Sequence, residues 1–189
     1  PKPSSAASDV YKRQLLGCVP ETERLLIIED TPELAPSHPH AVTLVSRRAN
    51  AEGRGEISMS MLLRQALRMR PDRIVVGEIR GAEVVELLAA LNTGHDGGAG
   101  TVHANSVGEV PARMEALAAL GGLDRVALHS QLAAAVHVVL GMERGPEGRR
   151  LAHIGVLDGN PVTPQLVWTA DDGPRLGFDE LCARMGVKP

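Results

Sequence analysis

Short apolar runs alternate with amphipathic stretches through the middle of the sequence. Runs typical of buried strands, rich in Leu, Ile and Val, occupy residues 24–28, 41–45, 73–79 and 100–104. Apolar positions at helical spacing occupy residues 58–69, 82–92, 106–120 and 124–136. Strands that alternate with helices in this way predict an α/β fold with a largely parallel sheet flanked by helices.

Residues with known capping preferences mark the predicted helix ends. Ser58 or Ser60 can cap the first helix, and Pro71 stops it. Ser106 and Glu109 have the spacing of a capping box, which predicts that the third helix begins there.

The pattern changes after the last long helix. A C-terminal β-hairpin is predicted over residues 137–144 and 150–157, with its turn at 145–148. The remainder is rich in Pro, Gly and Asp and contains one short strand near Trp168 and a final helix over 178–185.

Residues 1–14 differ from the rest of the chain because they are small, polar and aperiodic. We predict a non-native scar segment there, with a natural disordered tail as the alternative. The chain then divides into this segment, a main domain over residues 15–157 and a C-terminal extension over residues 158–189.

Composition limits the classes of function. With 2% aromatic residues, the core must consist of Leu, Val, Ile, Ala and Met, and a net charge of −3 gives no reason to expect direct binding of nucleic acid. Cys18 and Cys182 fit neither a disulfide framework nor a metal knuckle and suit a reducing cytoplasm. No apolar stretch reaches the length of a membrane helix, and no secretory signal is recognisable.

Candidate chemistry gathers where predicted strands end. The residues concerned are Glu29, Asp30 and Glu33 after the first strand, Glu78 and Arg80 after the third, and His95 and His103 beside and within the last. Because ligands of open α/β sheets bind at the carboxyl ends of the strands, these side chains are expected to converge.

Such a set favours phosphoryl transfer. Carboxylates suit Mg²⁺, a carboxylate beyond the ion can orient or deprotonate a water, and Arg or His can offset phosphate charge. Structural alternatives remain for each: a turn or helix cap for the acidic pair, a salt bridge for Glu78, and ordinary loop or core positions for His95 and His103. The run Gly97–Gly100 is expected to be a tight turn, because no Lys-Ser/Thr follows it.

Three segments taken in order resemble the secretion ATPase superfamily, which powers type II secretion, type IV pili and type IV secretion. They are RLLIIEDTPEL, RQALRMRPDRIVVGEIRGAEVVELLAALNTGH and GGAGTVHANS. The resemblance spans about residues 15–157 and is strongest to the tight-adherence (Flp) pilus assembly branch. It implies the C-terminal part of a RecA-like P-loop NTPase core.

The resemblance also implies roles for the residues at the strand ends. Glu33 matches the catalytic glutamate of the family's aspartate box, in which the nucleotide-associated Glu29 and Asp30 also lie. Glu78 matches the Walker B glutamate, which acts on Mg²⁺ through water, and Arg80 follows it as a candidate phosphate sensor.

Further expectations come from the same resemblance. His95 and His103 match the family's His box, which links nucleotide state to domain motion. ATP and Mg²⁺ are the implied cofactors. The implied assembly is a hexameric ring of identical subunits in the cytoplasm, held against inner-membrane platform proteins of a pilus or secretion machine.

The sequence departs from the family's pattern at one important place. The family carries a Gly-rich Walker A loop ending in Gly-Lys-Ser/Thr before the aspartate box, and here Ser4 to Gln14 occupy that place. The chain as written is therefore expected to bind ATP poorly, and we interpret it as a truncated sequence with a replaced beginning. The alternatives are a pseudo-ATPase ring subunit, a conjugation-associated secretion ATPase, and a metal-dependent hydrolase using His95, Asp96 and His103, although no HExxH spacing supports the last.

Overall fold

A computed structural model of the chain describes residues 6–95, 97–145 and 148–188. The chain forms two compact units. The first contains Pro1–Val102 with Leu117–Leu123, and the second contains His103–Ala116 with Asp124–Pro189.

The first unit contains a parallel sheet of four strands in the order β2-β1-β3-β4. The strands are β1 Leu25–Glu29, β2 Ala41–Val45, β3 Arg73–Val76 and β4 Ala99–Gly100. Leu25 of the central strand pairs with Ala41 on one side and Arg73 on the other. All five residues of β1 are buried, as its unbroken apolar run predicts for a strand covered on both faces.

Three helices belong wholly to this unit: α1 Ala6–Gly17, α2 Met59–Ala66 and α3 Glu83–Leu91. A 3₁₀ turn, Leu67–Met69, continues α2. The predicted cap of α2 is confirmed, because Ser58 Oγ accepts from the Met61 N–H at 3.2 Å.

Apolar side chains from α1, β1, β3 and the loop after β1 form one core cluster. Its members are Leu16, Leu25, Ile27, Leu34 and Val75. Leu34 thereby ties the far end of the acidic loop to the sheet. The loop carrying the candidate residues starts in a buried strand and ends on a buried leucine.

The second unit is built on an antiparallel sheet in the order β5-β6-β7-β8. The strands are β5 Val138–Gly145, β6 Gly148–Asp158, β7 Thr163–Thr169 and β8 Gly173–Pro174. The helices are α4 Val110–Leu120, whose last turn belongs to the first unit, α5 Arg125–Ala135 and α6 Phe178–Met185. The predicted hairpin is confirmed as β5 and β6, although residues 146 and 147 of its turn lie outside the described residues.

Three local predictions are wrong. The strand expected over 73–79 is limited to Arg73–Val76. The strand expected over 100–104 is limited to Ala99–Gly100, because only these residues pair with β3, so His103 lies outside any strand. The capping box is also absent, since the Ser106 side chain makes no cap hydrogen bond and the chain passes through a 3₁₀ turn, Val107–Glu109. Glu109 instead accepts from Asn105 Nδ2 at 2.7 Å.

The predicted fold class is confirmed, with a parallel sheet flanked by helices and a second, antiparallel sheet. The helix α1 was not expected from the sequence. The assignment of residues 1–14 as a scar and the boundary after residue 157 stay predictions. Within the part of the chain that the structure describes, no helix is both long and apolar enough to span a membrane.

Candidate functional site

The parallel strands β1 and β3 end side by side, and this places their polar followers at one edge of the sheet. Ile28 pairs with Val76, and the Gly77 N–H donates to the Ile28 carbonyl at 2.9 Å. Asp30 and Glu78 therefore emerge from neighbouring strand ends. The convergence expected from the sequence is confirmed for these two carboxylates.

Arg80 joins the two strand ends. Its Nη1 donates to Asp30 Oδ2 and its Nη2 donates to Glu78 Oε2. Glu78 is the more sheltered partner, at 14% side-chain exposure against 41% for Asp30. The hydrogen bond that Arg80 donates to Glu78, together with the charges of Glu78, Asp30 and Glu33, raises the pKa of Arg80 above its usual value, and desolvation partly opposes the shift.

A further carboxylate, which was not expected from the sequence, fixes the backbone at Arg80. Glu83 Oε1 accepts from the Arg80 N–H at 2.6 Å and from the Gly81 N–H at 2.8 Å. Glu83 is the first residue of α3, and its carboxylate reaches back to two N–H groups that precede the helix. The available signal in the sequence was the position of Glu83, an acidic residue three positions after Arg80.

Glu29 does not face solvent at this edge. Its residue exposure is 2%, and its Oε1 accepts from the Glu33 N–H at 3.1 Å and from the Leu34 N–H at 2.9 Å. The side chain therefore folds over the loop that follows β1. The structural alternative for the acidic pair, a carboxylate that caps a turn, describes this residue.

Gly77 makes room for that carboxylate. A Cβ at Gly77 would lie 2.9 Å from Glu29 Cγ and 3.3 Å from its Oε1. Side chains do not pack at the first distance without displacement. The glycine that precedes Glu78 is thus required by the buried acid on the neighbouring strand.

Glu33 is exposed at the end of the same loop. Its N–H is held by Glu29, and its carbonyl accepts from Arg13 Nη2 at 3.2 Å. Its carboxylate is close enough to Arg80 to contribute to the raised pKa of that guanidinium. The edge therefore combines Glu33, Asp30, Glu78 and Arg80 over a buried Glu29.

The two histidines have different settings. His95 is half-buried, and its Nδ1 lies 3.2 Å from the Ala90 carbonyl near the end of α3, so Nδ1 is the protonated nitrogen in that bond. His103 is exposed and is the first residue of the second unit. Neither histidine is among the partners of Arg80.

The tight turn expected over Gly97–Gly100 is found only at its start: Gly97 is a turn residue with a φ of 79°, and Ala99–Gly100 form β4. A Cβ at Gly98 would lie 2.6 Å from the Ile74 carbonyl oxygen and 2.4 Å from Leu91 Cδ2, which shows how tightly the backbone packs against β3 and α3. This packing leaves no open cradle at Gly98.

The arrangement of the possible ligand side chains limits how a metal ion can bind. Within residues 6–95, 97–145 and 148–188, no group of three His, Cys, Asp or Glu side chains is arranged to hold a metal ion. Asp96, part of the alternative hydrolase set, lies outside the described residues. Carboxylate oxygens such as those of Asp30 and Glu78 are of the type that Mg²⁺ prefers, and in this structure both carboxylates are paired with Arg80.

Comparison with known sequences gives consistent relatives. A protein of Mycobacterium tuberculosis, provisionally named as a conjugal transfer protein, is 68% identical over 163 residues, which are 84% of this chain and 46% of that protein. The probable conjugal transfer protein TrbB of Sinorhizobium fredii is 37% identical over 141 residues, which are 75% of this chain and 40% of that protein.

A solved structure has the same fold. The VirB11 ATPase of the Brucella suis type IV secretion system, in complex with sulphate, superposes with a TM-score of 0.69 at 27% identity over 81% of this chain and 46% of that one. This chain thus spans less than half the length of the relatives named here.

The family itself follows from a sequence profile. The profile described as "Type II/IV secretion system protein" matches residues 10–144, well over half of the chain, which also agrees with the predicted superfamily. The narrower assignment to the Flp branch stays a prediction, since the named relatives include conjugal transfer proteins. On the sequence profile, the relatives and the fold together, the chain belongs to the type II/IV secretion system protein family.

Proposed function

We propose that this chain forms part of an ATP-hydrolysing motor subunit in a bacterial pilus-assembly or secretion machine. The observation that carries the proposal is the edge at which Glu33 lies beside Asp30 and Glu78, with Arg80 bridging the latter two. The guanidinium of Arg80 is a cation held among carboxylates at the carboxyl ends of parallel strands. A cation in this place can respond to the changes of charge that occur during phosphoryl transfer.

Each residue of this edge has a distinct role in the proposal. Glu33, exposed at the end of its loop, orients or deprotonates the attacking water. Glu78 lies on the magnesium side and binds the ion through water, and the ion when present would neutralise charge on phosphate oxygens. Arg80 exchanges its carboxylate partners for a phosphate oxygen when nucleotide binds.

The two histidines are proposed to respond to nucleotide. The Nδ1 of His95 donates to the end of α3, so its Nε2 is the ring atom that can turn to the nucleotide, accepting from a neighbouring group when the ring is neutral and donating to a phosphate oxygen when the ring is protonated. His103, exposed at the start of the second unit, is the second member of the pair. Both are proposed to couple nucleotide state to movement.

The machine that the motor drives is the second part of the proposal. We infer a hexameric ring that docks on inner-membrane platform proteins from the cytoplasm, with Flp pilus assembly as the first assignment. A conjugation-associated secretion motor is the second candidate, because relatives at 68% and 37% identity are named as conjugal transfer proteins.

A ring subunit without ATPase activity is the competing reading. It would need no exposed Glu33 and no Arg80 shared between two carboxylates, yet the chain keeps both features. A measurement of ATP hydrolysis therefore distinguishes a motor subunit from an inactive ring subunit.

The test is the substitution Glu33→Gln in the complete protein. We expect ATP binding close to that of the wild type and hydrolysis slowed by about 10²-fold, the scale for losing a general base. Steady-state phosphate release and binding of a fluorescent ATP analogue measure the two quantities. Glu21→Gln, which changes an exposed glutamate elsewhere in the same unit, is the matched control. Turnover that survives Glu33→Gln would remove Glu33 from its proposed role.

A further inference from the structure

Glu29 is a carboxylate buried where solvent does not reach it. Burying a charged carboxylate is costly unless hydrogen bonds replace the lost water. Two backbone N–H groups, of Glu33 and Leu34, donate to its Oε1. An exposure of 2% also means that Glu29 cannot contact a nucleotide without leaving this position.

The hydrogen bonds reach forward along the chain by four and five residues. They close the loop that starts at Asp30 and contains Thr31 and Pro32. Leu34 is itself buried in the core cluster, so Glu29 and Leu34 together fix the backbone on both sides of Glu33. Two hydrogen bonds to one buried acceptor atom restrict movement of this part of the loop.

We propose that Glu29 is a positioning residue for Glu33: its buried carboxylate holds the loop on which Glu33 approaches the nucleotide, and Gly77 supplies the space that this carboxylate occupies. The proposal replaces the direct nucleotide contact expected for Glu29 from the sequence. It rests on the proposed function, because it assigns what Glu29 does for the same site. A displacement of about 1 Å in a catalytic group can cost about 10²-fold in rate, so holding the loop matters for turnover.

The experiment is a double-mutant cycle in the complete protein. Glu29→Ala removes the acceptor, and we expect kcat to fall at least tenfold while the affinity for a fluorescent ATP analogue changes less than about threefold. Combined with Glu33→Gln, Glu29→Ala should cost nothing further, because a residue that acts through Glu33 has no effect once Glu33 is inactive. Losses that multiply in the double variant would overturn the proposal.

Two conservative variants separate positioning from general stability. Glu29→Gln keeps an oxygen that can accept both N–H groups, and we expect it to restore most of the turnover. Glu29→Asp keeps the charge but is one methylene shorter, and we expect it to resemble Glu29→Ala; it replaces that variant in the cycle if Glu29→Ala does not fold. Wild-type kcat in Glu29→Asp would contradict the proposal.

A destabilising control completes the cycle. Leu63 is fully buried in α2, outside the loop that Glu29 closes, so Leu63→Ala should lower stability and combine multiplicatively with Glu33→Gln. If Leu63→Ala behaved like Glu29→Ala in the cycle, the positioning role would be refuted.

A measurement that does not depend on turnover separates the positioning role of Glu29 from the catalytic role of Glu33. Amide hydrogen exchange at Glu33 and Leu34 should accelerate at least tenfold in Glu29→Ala and stay near wild type in Glu29→Gln. Unchanged exchange in Glu29→Ala would refute the positioning role. Accelerated exchange together with normal turnover in Glu33→Gln would keep Glu29 as the loop anchor and refute the proposed catalytic function of Glu33.

Discussion

Gly77 and Glu29 occupy adjoining space on neighbouring strands, so each limits what the other can be. A Cβ at Gly77 would lie 2.9 Å from Glu29 Cγ, whereas an alanine in open space would stabilise the chain by about 0.4–1 kcal/mol through the unfolded state. Overpacking in a well-packed region costs about 1–3 kcal/mol. The steric term is larger, and the net effect of a side chain at Gly77 is destabilising.

The prediction at this position is that Gly77→Ala lowers the free energy of unfolding by about 1–2 kcal/mol. In a Glu29→Ala background, which lacks the Cγ that the new methyl group meets, Gly77→Ala should cost less than it does in the wild type. Urea denaturation of the complete protein, followed by circular dichroism, measures both variants. Equal stability of Gly77→Ala and the wild type would show that the acid can move aside without cost.

The residue types at the site could be predicted from the sequence, but the separate role of each residue could not. Position after a strand end indicates that Glu29, Asp30 and Glu78 lie at one edge, and the structure confirms this for the latter two. Which of two consecutive acids is buried depends on strand pleat and on the neighbouring Gly77, and neither is visible in a local pattern.

Among the elements, α4 and α5 are joined by a buried histidine. His129, 3% exposed, lies with Nε2 2.8 Å from Glu115 Oε1, and its Nδ1 accepts from the Val162 N–H at 2.8 Å. Because Nδ1 is the acceptor, Nε2 carries the proton donated to Glu115. That hydrogen bond, aided by the nearby charge of Arg125, lowers the pKa of Glu115, while desolvation partly opposes the shift.

This contact predicts a pH dependence of stability. The folded-state pKa of Glu115 lies below 4.5, so its ionised form contributes stability that is fully present above pH 4.5. The contribution is lost as the pH falls through the lowered folded-state pKa. Glu115→Gln keeps an oxygen that accepts from His129 but cannot titrate, so its unfolding temperature should fall less steeply with acid than that of the wild type.

Thermal unfolding of both proteins between pH 3 and pH 7 measures the difference, since a proton-linked contribution appears as a difference in slope against pH. Glu21→Gln, at an exposed position in the other unit, controls for the loss of one negative charge. Parallel curves for Glu115→Gln and wild type would show that the pair with His129 does not contribute to acid stability.

Elements with strong local signals could be predicted, and elements set by pairing could not. The final helix was expected over 178–185 and occupies Phe178–Met185, because its apolar positions and flanking glycines are local features. The length of β4 depends on β3, which offers only Val75 and Val76 as partners. The 3₁₀ turn at Val107–Glu109 likewise departs from a capping-box spacing that the sequence contains.

At the scale of the whole molecule, the two sheets differ in how much of them the sequence reveals. The parallel sheet follows from alternating strands and helices, whose crossover rule leaves few topologies. The antiparallel sheet also takes in β7 and β8, beyond the predicted hairpin. Cross-strand pairs such as His153 with Thr169 join distant segments, and no local pattern specifies them.

The last prediction concerns nucleotide affinity of the whole chain. The chain contains three lysines, Lys2, Lys12 and Lys188, and none follows a glycine as in the Gly-Lys-Ser/Thr of a phosphate-binding loop. Backbone N–H groups and the lysine of such a loop provide most of the contacts to the β- and γ-phosphates, and the carboxylate edge described here cannot replace them because it is acidic. We therefore expect the chain as written to bind a fluorescent ATP analogue weakly.

Replacing residues 4–14 with a family-type loop should bring the Kd to micromolar or below, a gain of about 4 kcal/mol if the starting value is millimolar. Changing the lysine of that loop to alanine should abolish the gain, which controls for nonspecific effects of the replacement. Micromolar affinity in the unaltered chain would contradict the prediction, because phosphate binding would then have to come from residues already present.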